Sequence, residues 1–326
     1  DDLDRHDNPR PLPGRAGRYL CPVLALAVAP LGTLDSLSDA VAGASVLWLL
    51  AALALHLGGQ YCRGIAWHGI LSSPWPGLQR RRVCAWYMCG SGLSGVLPGR
   101  GGDAVRVGLA RREVPTSSWP SLAGTLVAEG AFEVVSGIAL TLAALWLGVG
   151  QIGLPSPLLI AAIAAGALAL ATLTLWFRRI RVILAEILRG TTVLREPSVM
   201  VSRVLPWQVL GRLLRLGAVA FFLAAFGLPI TPATIVAAAA VAGSGSLIPL
   251  PGLGAAAAAT GVIVALPAAA GHPLPLGAMT GFAVAEPLLM TVIGAATSLV
   301  LLSLLLKVRN PLRPIRLLRA AAPTAP

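Results

Sequence analysis

Apolar runs as long as a bilayer is thick recur along almost the whole chain, and this repetition constrains the fold more than any motif does. A helix needs about 20 apolar residues to cross the hydrocarbon layer. Runs near or above that length occupy roughly residues 44 to 62, 118 to 148, 156 to 177, 203 to 226 and 277 to 306. With 56% hydrophobic residues, 12% charged and a mean hydropathy of +0.80, the chain lies outside the composition of water-soluble domains. The expectation is an all-α integral membrane protein with about six full transmembrane helices. The first of these would be the short run Leu20 to Leu34, interrupted by Pro22 and Pro30. Residues 1–18 mix Asp, Arg and Pro without periodicity and read as the disordered tail of a truncated or mis-started chain. The membrane domain is expected over 19–310, with halves at about 19–150 and 154–308, and a basic, Pro-rich tail over 311–326.

A net charge of +12 invites a nucleic-acid reading, but the positions of the cations argue against one. Arg80 to Arg82, Arg100 to Arg112, Arg178 to Arg195, Arg203 and Lys307 to Arg319 all flank hydrophobic runs, which is the positive-inside pattern. The connections near 35–43, 148–156, 227–231 and 267–275 contain no Lys or Arg and are assigned to the outside. Both termini then lie in the cytoplasm, and the clustered cations suit anionic lipid head groups. Arg63, Arg212 and Arg215 read as side chains snorkelling to the cytoplasmic interface. Cys21, Cys62, Cys84 and Cys89 lack metal-ligand spacing and read as buried thiols. The four histidines are scattered, so no metal and no cofactor is expected.

This topology leaves two segments that must enter and leave on one side, 83–112 and 232–271. Each breaks at a Pro-Gly pair, Pro98-Gly99 and Pro251-Gly252, where helical hydrogen bonding stops. They read as re-entrant hairpins, which lipid does not tolerate unless protein or a watery cavity covers their backbone. Shifted by 153 residues without a gap, Gly90 to Gly101 falls on Gly243 to Gly254 with seven of twelve positions identical. The same shift carries Glu133 onto Glu286. In a chain rich in Gly and Pro, chance similarity is the plain alternative. The first hairpin enters from the cytoplasm and the second from outside, so the halves form an inverted repeat, the plan by which many transporters build a midplane site.

An ionised side chain at the centre of a membrane helix costs about 2.5 to 3.5 kcal/mol on insertion scales, so the acids within the spans are the candidate functional groups. Glu129 and Glu133 lie four residues apart and share a helical face. Arg100, Asp103 and Arg106 follow the first Pro-Gly turn, where free backbone N–H groups and guanidinium forks suit a phosphate. A purely structural alternative has Arg106 and Glu133 neutralising one another. Glu286 precedes Pro287, so it is either a functional acid or part of a kink. No nucleophile motif, Walker-type loop or His-rich signature is present, so no enzymatic activity is expected.

The stretch Leu97-Pro98-Gly99-Arg100-Gly101-Gly102-Asp103-Ala104-Val105-Arg106 resembles the hallmark of the lysylphosphatidylglycerol synthase transmembrane-region family. Ala128 to Glu133, the second hairpin at Ile248 to Gly254, and Arg63 with Trp67 are similar to further motifs of that family. Three features depart from it: relatives carry an acid after the second turn, where Ala255 to Ala259 stand, an Arg where Gly130 stands, and a basic residue in the last helix near Glu286, where none stands here. The resemblance implies a lipid flippase or translocase, with lipid handling rather than lysyl transfer as its task. No stretch of these 326 residues reads as a soluble aminoacyltransferase domain.

The expected function is therefore movement of a phospholipid or polyprenyl-phosphate-type lipid between leaflets of the cytoplasmic membrane. Arg100, Asp103, Arg106, Glu129, Glu133 and Glu286 would line the head-group path, with turns at Pro98, Gly99, Pro251 and Gly252. Two alternatives stay open: an alternating-access carrier for a small solute, and a non-transporting scaffold for a lipid-modifying enzyme. Membrane lipids, anionic or phosphate-bearing, are the expected partners, and a partner enzyme or a homo-oligomer is compatible with the sequence.

Overall fold

A computed structural model describes residues 43–97, 101–147, 186–188, 190–191, 196–245 and 253–306. The candidate first span, the run 156–177, both tails, Arg100 and the turn residues Pro98, Gly99, Pro251 and Gly252 lie outside the described residues. Among the described residues the chain is helical throughout, with no strand. The elements are α1 (Val46–Ser72), α2 (Arg80–Leu93), α3 (Gly101–Glu113), α4 (Trp119–Trp146), α5 (Leu205–Ala225), α6 (Pro232–Gly245), α7 (Leu253–Ala270) and α8 (Leu276–Leu305). A helical turn (Pro197–Val199) and a π-helical turn (Met200–Val204) lead into α5.

Three of these helices are long and apolar enough to cross a membrane: α4, α5 with its lead-in, and α8. Their outward faces carry large apolar side chains, including Val134, Val135, Ile138 and Leu142 on α4 and Leu288, Val292, Val300 and Leu304 on α8. Apolar surface on this scale has lipid as its natural solvent. Trp48, Trp119 and Trp146 stand exposed at helix ends, as an interfacial belt requires, whereas Trp67 and Trp86 are buried. Helix α1 is equally long and exposes Val46, Leu47 and Leu50 in its first turns, but His56, Gln60, Arg63 and His68 leave its later turns too polar to face lipid. It packs instead against α2, α4, α5 and α8 at the centre of the bundle.

The helix ends are set locally. Ser118 caps α4 in a reciprocal box with Ser121, with Pro120 in the first turn. Helix α5 stops at Gly227, whose φ of +66° continues no right-handed helix. There Leu228 N–H bonds the Leu223 carbonyl at 2.9 Å and Gly227 N–H bonds the Ala224 carbonyl at 3.1 Å, the Schellman pattern.

Helices α2 and α3, of 14 and 13 residues, and α6, of 14, each reach about 20 Å at 1.5 Å per residue, short of the hydrocarbon thickness. Arg82 at the start of α2 meets Glu113 at the end of α3 at 2.5 Å, so the α2–α3 segment comes back to where it began. Helix α2 packs on α8 and α3 on α4, while α6 packs on α4 and α7 on α8. Each of these two pairs thus bridges α4 and α8.

Two apolar clusters result. One joins Ala52 of α1 with Phe222, Leu223, Ala237, Val262, Leu266 and Phe282. The other joins Trp67, Ile70 and Leu71 of α1 with Val83, Trp86, Leu122 and Leu302. Between them the long helices switch from apolar to polar or small residues, and that intervening layer holds the candidate site.

Candidate functional site

Five helices contribute to this layer a stripe spaced three or four residues apart, the repeat that keeps side chains on one helical face, and α8 adds a single acid. Helix α1 supplies His56, Gln60, Arg63 and Trp67, α2 supplies Tyr87 and Ser91, and α3 supplies Asp103 and Arg106. Helix α4 supplies Thr125, Glu129, Glu133 and Ser136, α5 supplies Gln208, Arg212 and Arg215, and α8 supplies Glu286.

Glu129 is the hub. Its Oε2 accepts from Arg106 at 2.7 Å, and its Oε1 accepts from Tyr87 OH at 2.7 Å and from Arg63 at 3.1 Å. Its side chain is 3% exposed and that of Arg106 is 9% exposed. Arg106 also holds Asp103 at 2.9 Å, and its guanidinium lies over the rings of Trp67 and Tyr87 at 5.3 and 4.9 Å. Trp67 Nε1 in turn donates to Thr125 Oγ1 at 3.1 Å. In surroundings of low dielectric these charge-assisted bonds are strong and mutually orienting, so Glu129, Arg106 and Tyr87 form a locked assembly.

Glu133, one turn further along α4, is bound differently. Its Oε1 meets Arg63 at 2.7 Å and its Oε2 meets Arg212 at 2.7 Å, while its side chain is 34% exposed. Arg212 also donates to Ser136. The expected alternative of Arg106 neutralising Glu133 is corrected here, because the acid one turn nearer α3 takes Arg106. The snorkelling assigned to Arg63, Arg212 and Arg215 is also corrected. Two of these side chains bind acids inside the bundle, and Arg215 faces a small pocket with Arg63 and Arg212.

Of the expected site residues, Asp103, Arg106, Glu129 and Glu133 come together. Glu286 is buried on α8, apart from this cluster, with Arg215 as its cationic neighbour. Arg63, Tyr87, Arg212, Arg215 and Gln208 complete the layer and were absent from the expected set. The signal that could have found the three arginines and Gln208 is the polar spacing 56, 60, 63 on α1 and 208, 212, 215 on α5; none marks Tyr87. Cys62, Cys84 and Cys89 are free, buried thiols. Among the described residues no group of His, Cys, Asp and Glu has the arrangement of a metal site.

Two recesses open on the layer. A cleft of about 140 Å³ between α1, α2 and α8 is lined by Gln60, Met88, Ser91, Met290 and Thr291 among others. The small pocket, of about 20 Å³, is bounded by Arg63, Glu133, Gln208, Arg212 and Arg215. His56 and Gln60 line both, so the two adjoin.

The Tyr87 hydroxyl donates to an ionised, buried acceptor, a bond worth about 1.5 to 3 kcal/mol. Tyr87→Phe should therefore lower the unfolding free energy in detergent by about 2 kcal/mol, measured by thermal or denaturant melting. A change under a few tenths would show that Glu129 finds replacement solvation.

A family model described as the lysylphosphatidylglycerol synthase TM region matches residues 21–283 of the chain. No curated protein and no solved structure matches it.

Proposed function

Since this chain belongs to the lysylphosphatidylglycerol synthase transmembrane-region family, we propose that it is a lipid translocase, moving an anionic or phosphate-bearing lipid between membrane leaflets. The observation that carries the reading is the polar layer in the middle of an otherwise apolar bundle. There Arg63, Arg212 and Arg215 border a pocket that adjoins a cleft between α1, α2 and α8. A head group could ride this layer while its acyl chains stay in lipid. Intramembrane charges of this kind are costly and mark transport paths more often than scaffolds.

The architecture we propose has about six full crossings and two re-entrant hairpins, α2–α3 and α6–α7, arranged as an inverted repeat. The Arg82–Glu113 pair supports a return of the first hairpin to its side of entry. The reciprocal packing supports the repeat: the first arm of each hairpin lies on the long acidic helix of the other half, and the second arm on that of its own. The protein would sit in the cytoplasmic membrane with both termini inside, act without a covalent step, and use membrane lipids as its partners.

The test is leaflet exchange of fluorescent anionic, aminoacylated and polyprenyl-phosphate lipids in proteoliposomes. Wild type should speed exchange of one head-group class at least tenfold over empty vesicles. Glu133→Gln and Arg106→Ala, purified as folded protein, should return the rate to within about twofold of background. If the wild type moves no lipid, the translocase reading falls, and solute transport or assistance to a lipid-modifying enzyme takes its place.

A further inference from the structure

We propose that the small pocket between α1, α4 and α5 is an anion subsite for a phosphate-type group, and that Glu133 is its displaceable stand-in. The inference rests on the translocase reading only for the source of the anion, a lipid phosphodiester.

The residues facing the pocket bring three guanidinium groups, from Arg63, Arg212 and Arg215, against the single carboxylate of Glu133. That carboxylate spreads its two oxygens over two arginines, at 2.7 Å each. The non-bridging oxygens of a phosphate offer the same paired acceptors, and arginine is the side chain best shaped to hold them. A second, independent feature points the same way. Gln208 is 2% exposed and borders the pocket, yet its Nε2 finds no hydrogen-bond partner among the described residues. A buried amide without a partner is rare and calls for an explanation, and an arriving oxygen would satisfy it.

Volume fixes the order of events. At about 20 Å³ the pocket holds one water molecule and no phosphate while Glu133 is in place. Glu133 can leave because its side chain is one-third exposed and its partners among the described residues are two arginines. Glu129 cannot, with 3% exposure and three donors on its carboxylate. The phosphate takes over Arg63 and Arg212 as Glu133 swings out, and Glu133 returns when the phosphate departs. The arginine pair is then never left bare, which keeps the cycle from passing through an unpaired intramembrane charge.

The experiment is calorimetric titration of the 326-residue chain in detergent with dihexanoyl-phosphatidylglycerol, inorganic phosphate and uncharged dihexanoylglycerol. Removing the competing carboxylate in Glu133→Gln should tighten binding of dihexanoyl-phosphatidylglycerol at least tenfold. Arg212→Gln and Gln208→Leu should weaken it at least tenfold. Gln208→Leu should at the same time hold or raise the thermal midpoint, because it deletes an amide that the empty pocket leaves unpaired; a merely structural Gln208 would lower it. Unchanged or weaker binding by Glu133→Gln, wild-type binding by Gln208→Leu, or equal binding of dihexanoylglycerol would each overturn the subsite. Binding of inorganic phosphate alone, with the expected response to all three variants, would keep the subsite and remove the lipid. Lipid exchange without any of these binding changes would keep the translocase and remove the subsite.

Discussion

Replacing Glu129 with leucine should destabilise the protein by about 3 to 5 kcal/mol, enough to abolish a stably folded product in detergent. The size follows from what the substitution strands. Arg106 is nearly as buried as Glu129 and would keep Asp103 as its acid, while its Nε already lacks a partner among the described residues. Arg63 would retain Glu133, and the Tyr87 hydroxyl would lose its acceptor. Removing one member of a buried pair costs more than removing both, because the uncompensated charge stays in low dielectric. The double variant Glu129→Leu/Arg106→Met should therefore recover at least half of the loss. Melting curves of the wild type, both single variants and the double variant close the cycle. A Glu129→Leu protein that melts within 1 kcal/mol of wild type would show that water reaches the cluster.

The contrast between the two acids of α4 decides how they divide the work. Glu129 has three donors and almost no exposure, so its energy is spent on holding α1, α2, α3 and α4 together. Glu133 bridges two arginines from α1 and α5 at a partly open site, where a change of partner is affordable. Their sequence neighbourhoods are alike, and only the third dimension separates an anchor from a moving part.

The same limit explains what was legible in the sequence. Bilayer-length apolar runs identify α4, α5 and α8, because lipid imposes a length and a hydropathy on any helix that faces it. The two helix pairs are legible through Pro, Gly and the flanking arginines, whereas the acid of α4 that takes Arg106 is not, since Glu133 was expected and Glu129 binds it. The arginines of α1 and α5 were misread for a physical reason. The apolar run on α1 ends at Cys62, so Arg63 looks like a helix end, whereas the helix continues to Ser72 inside the bundle. From Cys62 onward most of α1 is buried by protein, and turns that protein covers have no need to be apolar throughout.

Gly92→Ala is the second large effect expected, and it isolates the contact between the halves. A Cβ on Gly92 would sit 2.1 Å from the Gly294 carbonyl oxygen and 2.2 Å from Ser298 Oγ. The nearer obstacle is backbone, so α2 and α8 must move apart, and the Ser298 bond to the Met88 carbonyl and the Cys89 contact with Ser298 loosen with them. Overpacking of this kind costs about 3 kcal/mol, at the upper end of its usual range, because neither helix has a side-chain rotamer to give up. Two controls separate the clash from helix propensity. Among the described residues nothing lies within 4 Å of a Cβ built on Gly130, so Gly130→Ala should be neutral or stabilise by about 0.5 to 1 kcal/mol. Gly95 meets the side chain of Thr291 at 2.9 Å, which can rotate away, so Gly95→Ala should fall between the two. Melting all three in one detergent gives the order Gly92→Ala, Gly95→Ala, Gly130→Ala from least to most stable. If Gly92→Ala melts with Gly130→Ala, α2 and α8 do not touch at these glycines, and the cleft that both helices line has a different shape.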